Sequence, residues 1–285
     1  MFLPRGILAE KLLWVLAEDL GQGDVTTALV VPSRAKAEAR VIAKEAGVAA
    51  GIEEAEVLLD ALELGFKAYV GDGADVMPWQ TLLEISGDAR TILSVERTLL
   101  NLISRMSGIA TATRRIVEKI KSSGYKARVA CTRKTAPGLM YFDKKAVLVG
   151  GGDPHRLHLD DMLLIKDNHV VFAGGVENAV KIAREKASFS KKIEVEVSNL
   201  GDVLAAAKAG ADIIMLDNFS PNMVDEAINL LRKEGFLGKV LVEVSGRITA
   251  ENVIDFASRG VDIISLGEIT HSVKAFDVSL EIIKQ

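Results

Sequence analysis

The chain has 285 residues, of which 49% are hydrophobic and 26% charged, with a formal net charge of −4 and a pI near 5.7. That length suits one large domain, or a small one beside a barrel-sized one. The composition excludes a disordered chain and a surface that draws nucleic acid by charge alone. The single cysteine, Cys131, has no internal partner, which fits a reducing compartment; no apolar run has the length of a leader or a membrane span, so a cytoplasmic protein is expected.

From Ile7 to Leu20, the residues Leu8, Leu12, Val15 and Leu16 share one stripe of an amphipathic helix, which Gly21, Gly23 and Asp24 end. Ala35 to Ala43 alternate small or apolar residues with Lys36, Glu38 and Arg40, the period of a strand with one wet face. Helical spacing returns from Ile52 to Leu64. Gly71, Asp72, Gly73 and Pro78 break the chain before a short strand from Thr81 to Ile85. Thr91 or Ser94 then caps a helix running through Glu96, Leu99, Leu100, Leu102 and Ile103. Residues 1–107 show no regular βα repeat, so they are expected to form a small α+β domain.

After about Ser107 the texture changes. Apolar runs of strand length recur between helical stretches: Ala127–Cys131, Met162–Ile165, Ile193–Val197, Ile213–Leu216, Val240–Val244 and Ile263–Leu266. Continuous apolar strands alternating with helices imply a parallel sheet buried on both faces, and six in a row favour an α/β barrel over residues 108–272. A doubly wound open sheet is the alternative. Residues 273–285 have the look of a final helix.

The polar residues follow the apolar runs. Thr132, Arg133 and Lys134 follow the first, and Lys166, Asp167, Asn168 and His169 the second. Glu194 and Glu196 alternate within the third. The fourth ends in Asp217 and Asn218, the fifth holds Glu243 before Ser245, Gly246 and Arg247, and the sixth is followed by Gly267 and Glu268. Barrel active sites assemble at the C-terminal ends of strands. There Arg133, Lys134 and Lys166, with Arg156 on a neighbouring loop, face Glu196 and Asp217. A cationic cluster inside an acidic protein points to an anionic small substrate, and the carboxylates suit a metal ion or sugar hydroxyls. Gly246 and Gly267 sit where barrels commonly bind phosphate through backbone N–H groups.

At these residues the sequence resembles the quinolinate phosphoribosyltransferase family (nicotinate-nucleotide pyrophosphorylase, decarboxylating). The segments that carry the resemblance are EDLGQGDVTT from Glu18, SVERTLLNLISRMSGIAT from Ser94, CTRKTAPGL from Cys131 and GGGDPHRLHLDDMLLIKDNH from Gly150, then EVEVSN from Glu194, MLDNFSP from Met215, EVSGRI from Glu243 and LGEITHS from Leu266. They span nearly the whole chain, and TRKT, IKDNH and LDN in this order are specific together. The resemblance implies an N-terminal α+β sandwich beside an incomplete parallel α/β barrel. It also implies conversion of quinolinate and phosphoribosyl pyrophosphate to nicotinate mononucleotide, pyrophosphate and CO2 with Mg²⁺, in NAD biosynthesis. The family works as a homodimer or a higher assembly of dimers, such as a hexamer of dimers.

Carried over by motif, Arg133, Lys134, Arg156 and Lys166 hold the quinolinate carboxylates and the pyrophosphate. Glu196 and Asp217 bind ribose hydroxyls or Mg²⁺. Ser245, Gly246 and Gly267, with His271, hold the 5-phosphate, and Arg97 enters from a partner subunit. Thr132, His155, Arg247, Leu266 and Glu268, within or beside the same motifs, complete the substrate-binding candidates. Lys134, Lys166, Glu196 and Asp217 are the catalytic ones. Arg247, Met140 and His158 depart from the family pattern and bear on phosphate binding rather than on the reaction.

Plainer roles compete at several positions. Lys166 could pair with Asp160 or Asp161, or serve as the Schiff-base nucleophile of a barrel lyase. His155, His158, Asp160, Asp161 and His169 form a conceivable metal cluster, although no second pair has zincin spacing. Gly150–Gly152 reads as a flexible loop, Cys131 as a core residue, and Asp24 with Thr26 and Thr27 as a turn. Glu194 and Glu243 are weaker site candidates, suited to pairing with cations. A same-fold paralogue associated with molybdenum transport is a third functional alternative.

Overall fold

The computed structural model describes residues 3–284, which divide into two compact units. The first comprises residues 3–114, 145–151 and 273–284; the second comprises 115–144 and 152–272. The helix Ala89–Ser122 runs without a break through residue 107, so the change of texture there is not a linker.

In the first unit the strands are β1 (Lys36–Ala43), β2 (Gly47–Val48), β3 (Gly65–Ala68), β4 (Asp75–Val76) and β5 (Thr81–Asp88). β1 and β5 form the centre of an antiparallel sheet, flanked by β3 and by the C-terminal strand Val278–Lys284. The alternation in β1 is the reason: Ala37, Ala39, Val41 and Ala43 are buried while Lys36, Glu38 and Arg40 face water. The helix Arg5–Leu20 buries Leu8, Leu12 and Leu16. Asp24, expected only to shape a turn, caps a second helix, Val25–Val30, by accepting from the Thr27 N–H at 2.9 Å.

Three expectations change here. The segment 273–285, taken for a helix, holds a strand whose Val278, Leu280 and Ile282 pair with Ala43, Val41 and Ala39 of β1. Its period of two is visible in the sequence, but the apolar Ile283 beside Ile282 imitates a helical stripe. The long helix is begun by Asp88, whose carboxylate accepts the Thr91 N–H at 2.9 Å, rather than by Thr91 or Ser94 as cap. Gly150 is not a loop residue chosen for flexibility, because a Cβ there would stand 2.6 Å from the Ala110 carbonyl oxygen; the glycine lets the chain close onto the helix.

The second unit is an incomplete parallel α/β barrel of six strands: β6 (Arg128–Cys131), β7 (Leu163–Ile165), β8 (Ile193–Val197), β9 (Ile213–Asp217), β10 (Leu241–Ser245) and β11 (Ile263–Leu266). The order is β6-β11-β10-β9-β8-β7, all parallel, with β6 and β7 at the two edges. Beside β6, the backbone of Asp153 donates to the Val129 carbonyl at 2.7 Å and accepts from the Cys131 N–H at 3.1 Å, covering that edge. Val195, Ile214, Val242 and Ile264 are fully buried, each stabilising the fold by about 1.5–3 kcal/mol. Among the described residues, no helix is long and apolar enough to cross a membrane.

Candidate active site

The C-terminal ends of the six strands surround a cleft of about 630 Å³ that lies wholly within the second unit. β6 delivers Thr132, Arg133 and Lys134 to it, and Thr270 fixes that turn by donating its hydroxyl to the Lys134 carbonyl at 2.9 Å. The loop from Asp153 brings His155 and Arg156. Asp161 braces this loop by accepting the N–H groups of Leu157 and His158 at 2.6 and 2.9 Å, bonds that hold its carboxyl below the usual range. Lys166, at the end of β7, opens the helix Asp167–Ala173, and its backbone N–H donates to His169 Nδ1 at 2.9 Å.

Opposite these cations stand Glu196 of β8 and Asp217 of β9. Lys166 Nζ is ion-paired with Glu196, not with Asp160 or Asp161; the carbonyls of those two residues accept instead from Lys191. Asp217 accepts from the Asn218 side chain at 2.7 Å. After β10, Ser245, Gly246 and Arg247 reach the cleft, and after β11 so do Gly267 and His271. Gly246 has φ +93°, and a Cβ there would meet Asn218 Oδ1 at 2.4 Å, so only glycine fits.

Three expected site residues are placed elsewhere. Leu266 is buried in the sheet and Glu268 accepts the Ala250 N–H at 2.7 Å; neither lines the cleft. Arg97 is exposed on the helix Ala89–Ser122 of the first unit and is not among the lining residues. Conversely, Asn218, Met215, Glu243 and Ser265 line the cleft although they were not site candidates or were weak ones. Asn218 follows the LDN aspartate directly and has φ +58°, a conformation that asparagine tolerates better than most side chains.

Below the rim lies a buried ionic layer. Glu194 and Glu243 are both fully buried, and His155 Nε2 stands 3.2 Å from a Glu194 oxygen and 3.3 Å from Glu243 Oε2. Ser265 donates its hydroxyl to the other Glu243 oxygen at 2.5 Å, whereas neither Glu194 oxygen has a hydrogen bond of its own. Burial opposes charge on His155, but the two carboxylates outweigh it and push its pKa up to about 10. Burial likewise raises the Glu194 carboxyl, and lowers Arg156 together with the neighbouring Arg133 charge. His155, Glu194 and Glu243 are also the only grouping with metal-ligand spacing among the described residues, so His158, Asp160, Asp161 and His169 do not join a cluster. A proton on Nε2 accounts for the same short contacts. Cys131 is buried beneath the cleft, with the Lys144 ammonium 3.6 Å from its sulfur, and burial raises the thiol.

Comparison with known proteins adds to this geometry. Residues 24–107 match the family "Quinolinate phosphoribosyl transferase, N-terminal domain" and residues 109–281 match its "C-terminal domain". The chain is 47% identical over 273 residues to the probable nicotinate-nucleotide pyrophosphorylase [carboxylating] of Methanocaldococcus jannaschii, covering 94% of this chain and 95% of that one. It is 38% identical over 255 residues to the human nicotinate-nucleotide pyrophosphorylase [carboxylating], covering 90% and 85%. The solved structure of the nicotinate-nucleotide pyrophosphorylase from Francisella tularensis superposes with a TM-score of 0.88 at 38% identity, over 99% of this chain and 98% of that one.

Proposed function

Since this chain belongs to the quinolinate phosphoribosyl transferase family, we infer that its cleft joins quinolinate to the phosphoribosyl group of phosphoribosyl pyrophosphate, releasing pyrophosphate and CO2 and leaving nicotinate mononucleotide. The observation that carries this reading is the facing of Arg133, Lys134, Arg156 and Lys166 against Glu196 and Asp217 in one cleft. The cations suit the two carboxylates of the acceptor and the diphosphate of the donor, by charge-assisted hydrogen bonds. Loss of diphosphate leaves positive charge on the anomeric carbon, which the Glu196 and Asp217 carboxylates stabilise as it develops. Both carboxylates also suit the ribose hydroxyls. Ser245 and the backbone around Gly246 and Gly267, with His271 and Arg247 beside them, take the 5-phosphate.

Glu196 and Asp217 offer only carboxylate oxygen at the cleft wall, the hard donor set that Mg²⁺ takes, and we assign them as its ligands. Bound there, the ion would neutralise charge on the departing diphosphate. The exposed Arg97 is assigned to the neighbouring subunit's cleft in a homodimer. A cytoplasmic location fits the single buried thiol.

The engagement of Lys166 with Glu196 favours its use as a cation over its use as an imine-forming nucleophile. The deciding experiment supplies phosphoribosyl pyrophosphate with quinolinate or with nicotinate and follows mononucleotide and CO2. Quinolinate is expected to be used and nicotinate to be poor by a hundredfold or more, because one carboxylate leaves a cleft cation unpaired at a cost of about 3 kcal/mol. Comparable turnover of nicotinate would refute the reading.

A further inference from the structure

In parallel barrels the inward positions of successive strands form layers, filled as a rule by Val, Ile and Leu. Here the layer below the cleft rim departs from that rule. Glu194 lies two residues before Glu196 on β8, Glu243 two before Ser245 on β10, and Ser265 two before Gly267 on β11. Residues two apart on a strand share a face, so this polar layer sits about 7 Å deeper than the rim. Two fully buried carboxylates at such depth are costly unless a cation stands between them.

His155 fills that place, and its backbone is arranged for it. The residue has φ +53°, and its N–H donates to the Asp153 carboxylate at 2.7 Å, while Asp153 is itself paired with β6. The ring is thereby turned inward, with a side chain only 12% exposed and Nε2 bonded to Glu243 and within 3.2 Å of Glu194. A proton on Nε2 makes the contact with Glu243 a hydrogen bond and leaves Glu194 as the adjoining acid. Nδ1 makes no hydrogen bond within the protein among the described residues, and the ring lines the cleft. The other charged groups around this layer include Asp153, Arg133, Arg156 and Lys144, whose ammonium donates to the Pro154 carbonyl, with the Lys166–Glu196 pair on the rim above.

We propose that Glu194 and Glu243 are positioning residues that hold His155 as an imidazolium, leaving its Nδ1–H to donate to a carboxylate of the pyridine diacid. This rests on the acceptor assigned above and on His155 as one of its contacts, and it adds two carboxylates below the rim that set the charge of that contact. Two tests separate it from that assignment. In the free protein, nitrogen-15 NMR of labelled histidine is expected to show His155 doubly protonated from pH 6 to above pH 8, without any substrate present. A neutral His155 at pH 7.5 overturns the proposal whatever the enzyme acts on, and this arm needs no variant of the cluster to fold. Tight binding of Zn²⁺ or Mn²⁺ to the wild type with loss of the Nε2 proton also overturns it.

The second arm uses E243Q and E194Q. Their KM for quinolinate is expected to match wild type within threefold at pH 6 and to exceed it tenfold or more at pH 8, as His155 returns toward its ordinary pKa of about 6.5. The KM for phosphoribosyl pyrophosphate stays level, and E243D restores the wild-type profile. A merely structural role would lower stability without this pH-dependent KM split, so pH profiles that parallel wild type would sink the idea. No quinolinate binding in wild type, with His155 still doubly charged, would instead count against the acceptor assignment and with it the Nδ1 contact.

Discussion

Each unit buries an ionic cluster, and the two are built on different plans. In the first, the Lys145 ammonium lies 2.5, 2.6 and 3.6 Å from Glu53, Glu54 and Asp72, and Glu54 is fully buried. Asp72 also accepts the Ile52 N–H at 2.8 Å, so the group ties a helix start, a turn and the segment from Lys145 together. In the second, His155 meets its two glutamates through one ring nitrogen only and keeps the other for the cleft. A cation enclosed by its partners holds a fold, while one paired on a single side has bonding capacity left for a ligand. The same residue types thus serve structure or chemistry according to what the unpaired side faces.

The largest effect that would sharpen this contrast is expected at Arg156, which is nine-tenths buried beside Glu194 and Glu196. Arg156→Met removes a substrate cation and leaves carboxylates uncompensated, so kcat/KM for quinolinate should fall by on the order of 10²–10³-fold. Steady-state kinetics checks this, and a loss under tenfold would move Arg156 out of the substrate's reach. Next comes Lys145→Met, which strands the buried Glu54. It should cost about 3–5 kcal/mol in urea unfolding while kcat/KM of the folded fraction stays within twofold of wild type. Adding Glu54→Gln to that variant should recover much of the loss; a collapse of activity with intact stability would break the comparison.

A pH scan distinguishes the clusters by a smaller margin. Both bases have pKa values raised above the ordinary range by their acids, so each stabilises the fold fully below its unfolded pKa and loses that contribution as pH rises through the folded one. For His155 the window runs from about 6.5 to about 10. For Lys145 the loss lies above its ordinary 10.5. The stability difference between wild type and His155→Gln is therefore expected to shrink from pH 6.5 toward pH 10, while that between wild type and Lys145→Met holds. Urea midpoints at four or five pH values measure both, and a flat His155 difference would contradict a charged ring.

Much of the second unit was legible because parallel strands are buried on both faces. Their apolar runs stand out, and polar residues just past them mark the cleft rim. Thirteen of the sixteen expected site residues line the cleft on that ground alone or with the motif resemblance. The deeper layer was harder to see. Glu194 and Glu243 interrupt apolar strands, a visible anomaly, but their partner His155 lies on a loop far away in sequence, and only the folded chain brings its Nε2 between them. Leu266 and Glu268 flank Gly267, which lines the cleft, and themselves lie outside the lining. The C-terminal strand escaped because one extra apolar residue, Ile283, blurred its period.

The smallest effect concerns Arg247, where stability and binding are expected to move in opposite directions. This arginine is exposed on the cleft rim with φ +53°, a left-handed conformation that costs most non-glycine residues about 1–2 kcal/mol. Asparagine bears that backbone more easily. Arg247→Asn should therefore stabilise the protein by about 0.5–1 kcal/mol, raising Tm by about 1–4 °C for a chain of this size. The same change removes a cation beside Gly246. An exposed charge contributes at most about 1 kcal/mol to holding an anion, so the KM for phosphoribosyl pyrophosphate should rise between about two- and fivefold. Calorimetry and initial-rate kinetics on one variant read both quantities. An unchanged KM with a higher Tm would make Arg247 a strained surface charge with no part in the cleft. A rise beyond tenfold would mean that substrate closes over the rim and dries the contact, giving Arg247 the weight of a buried cation.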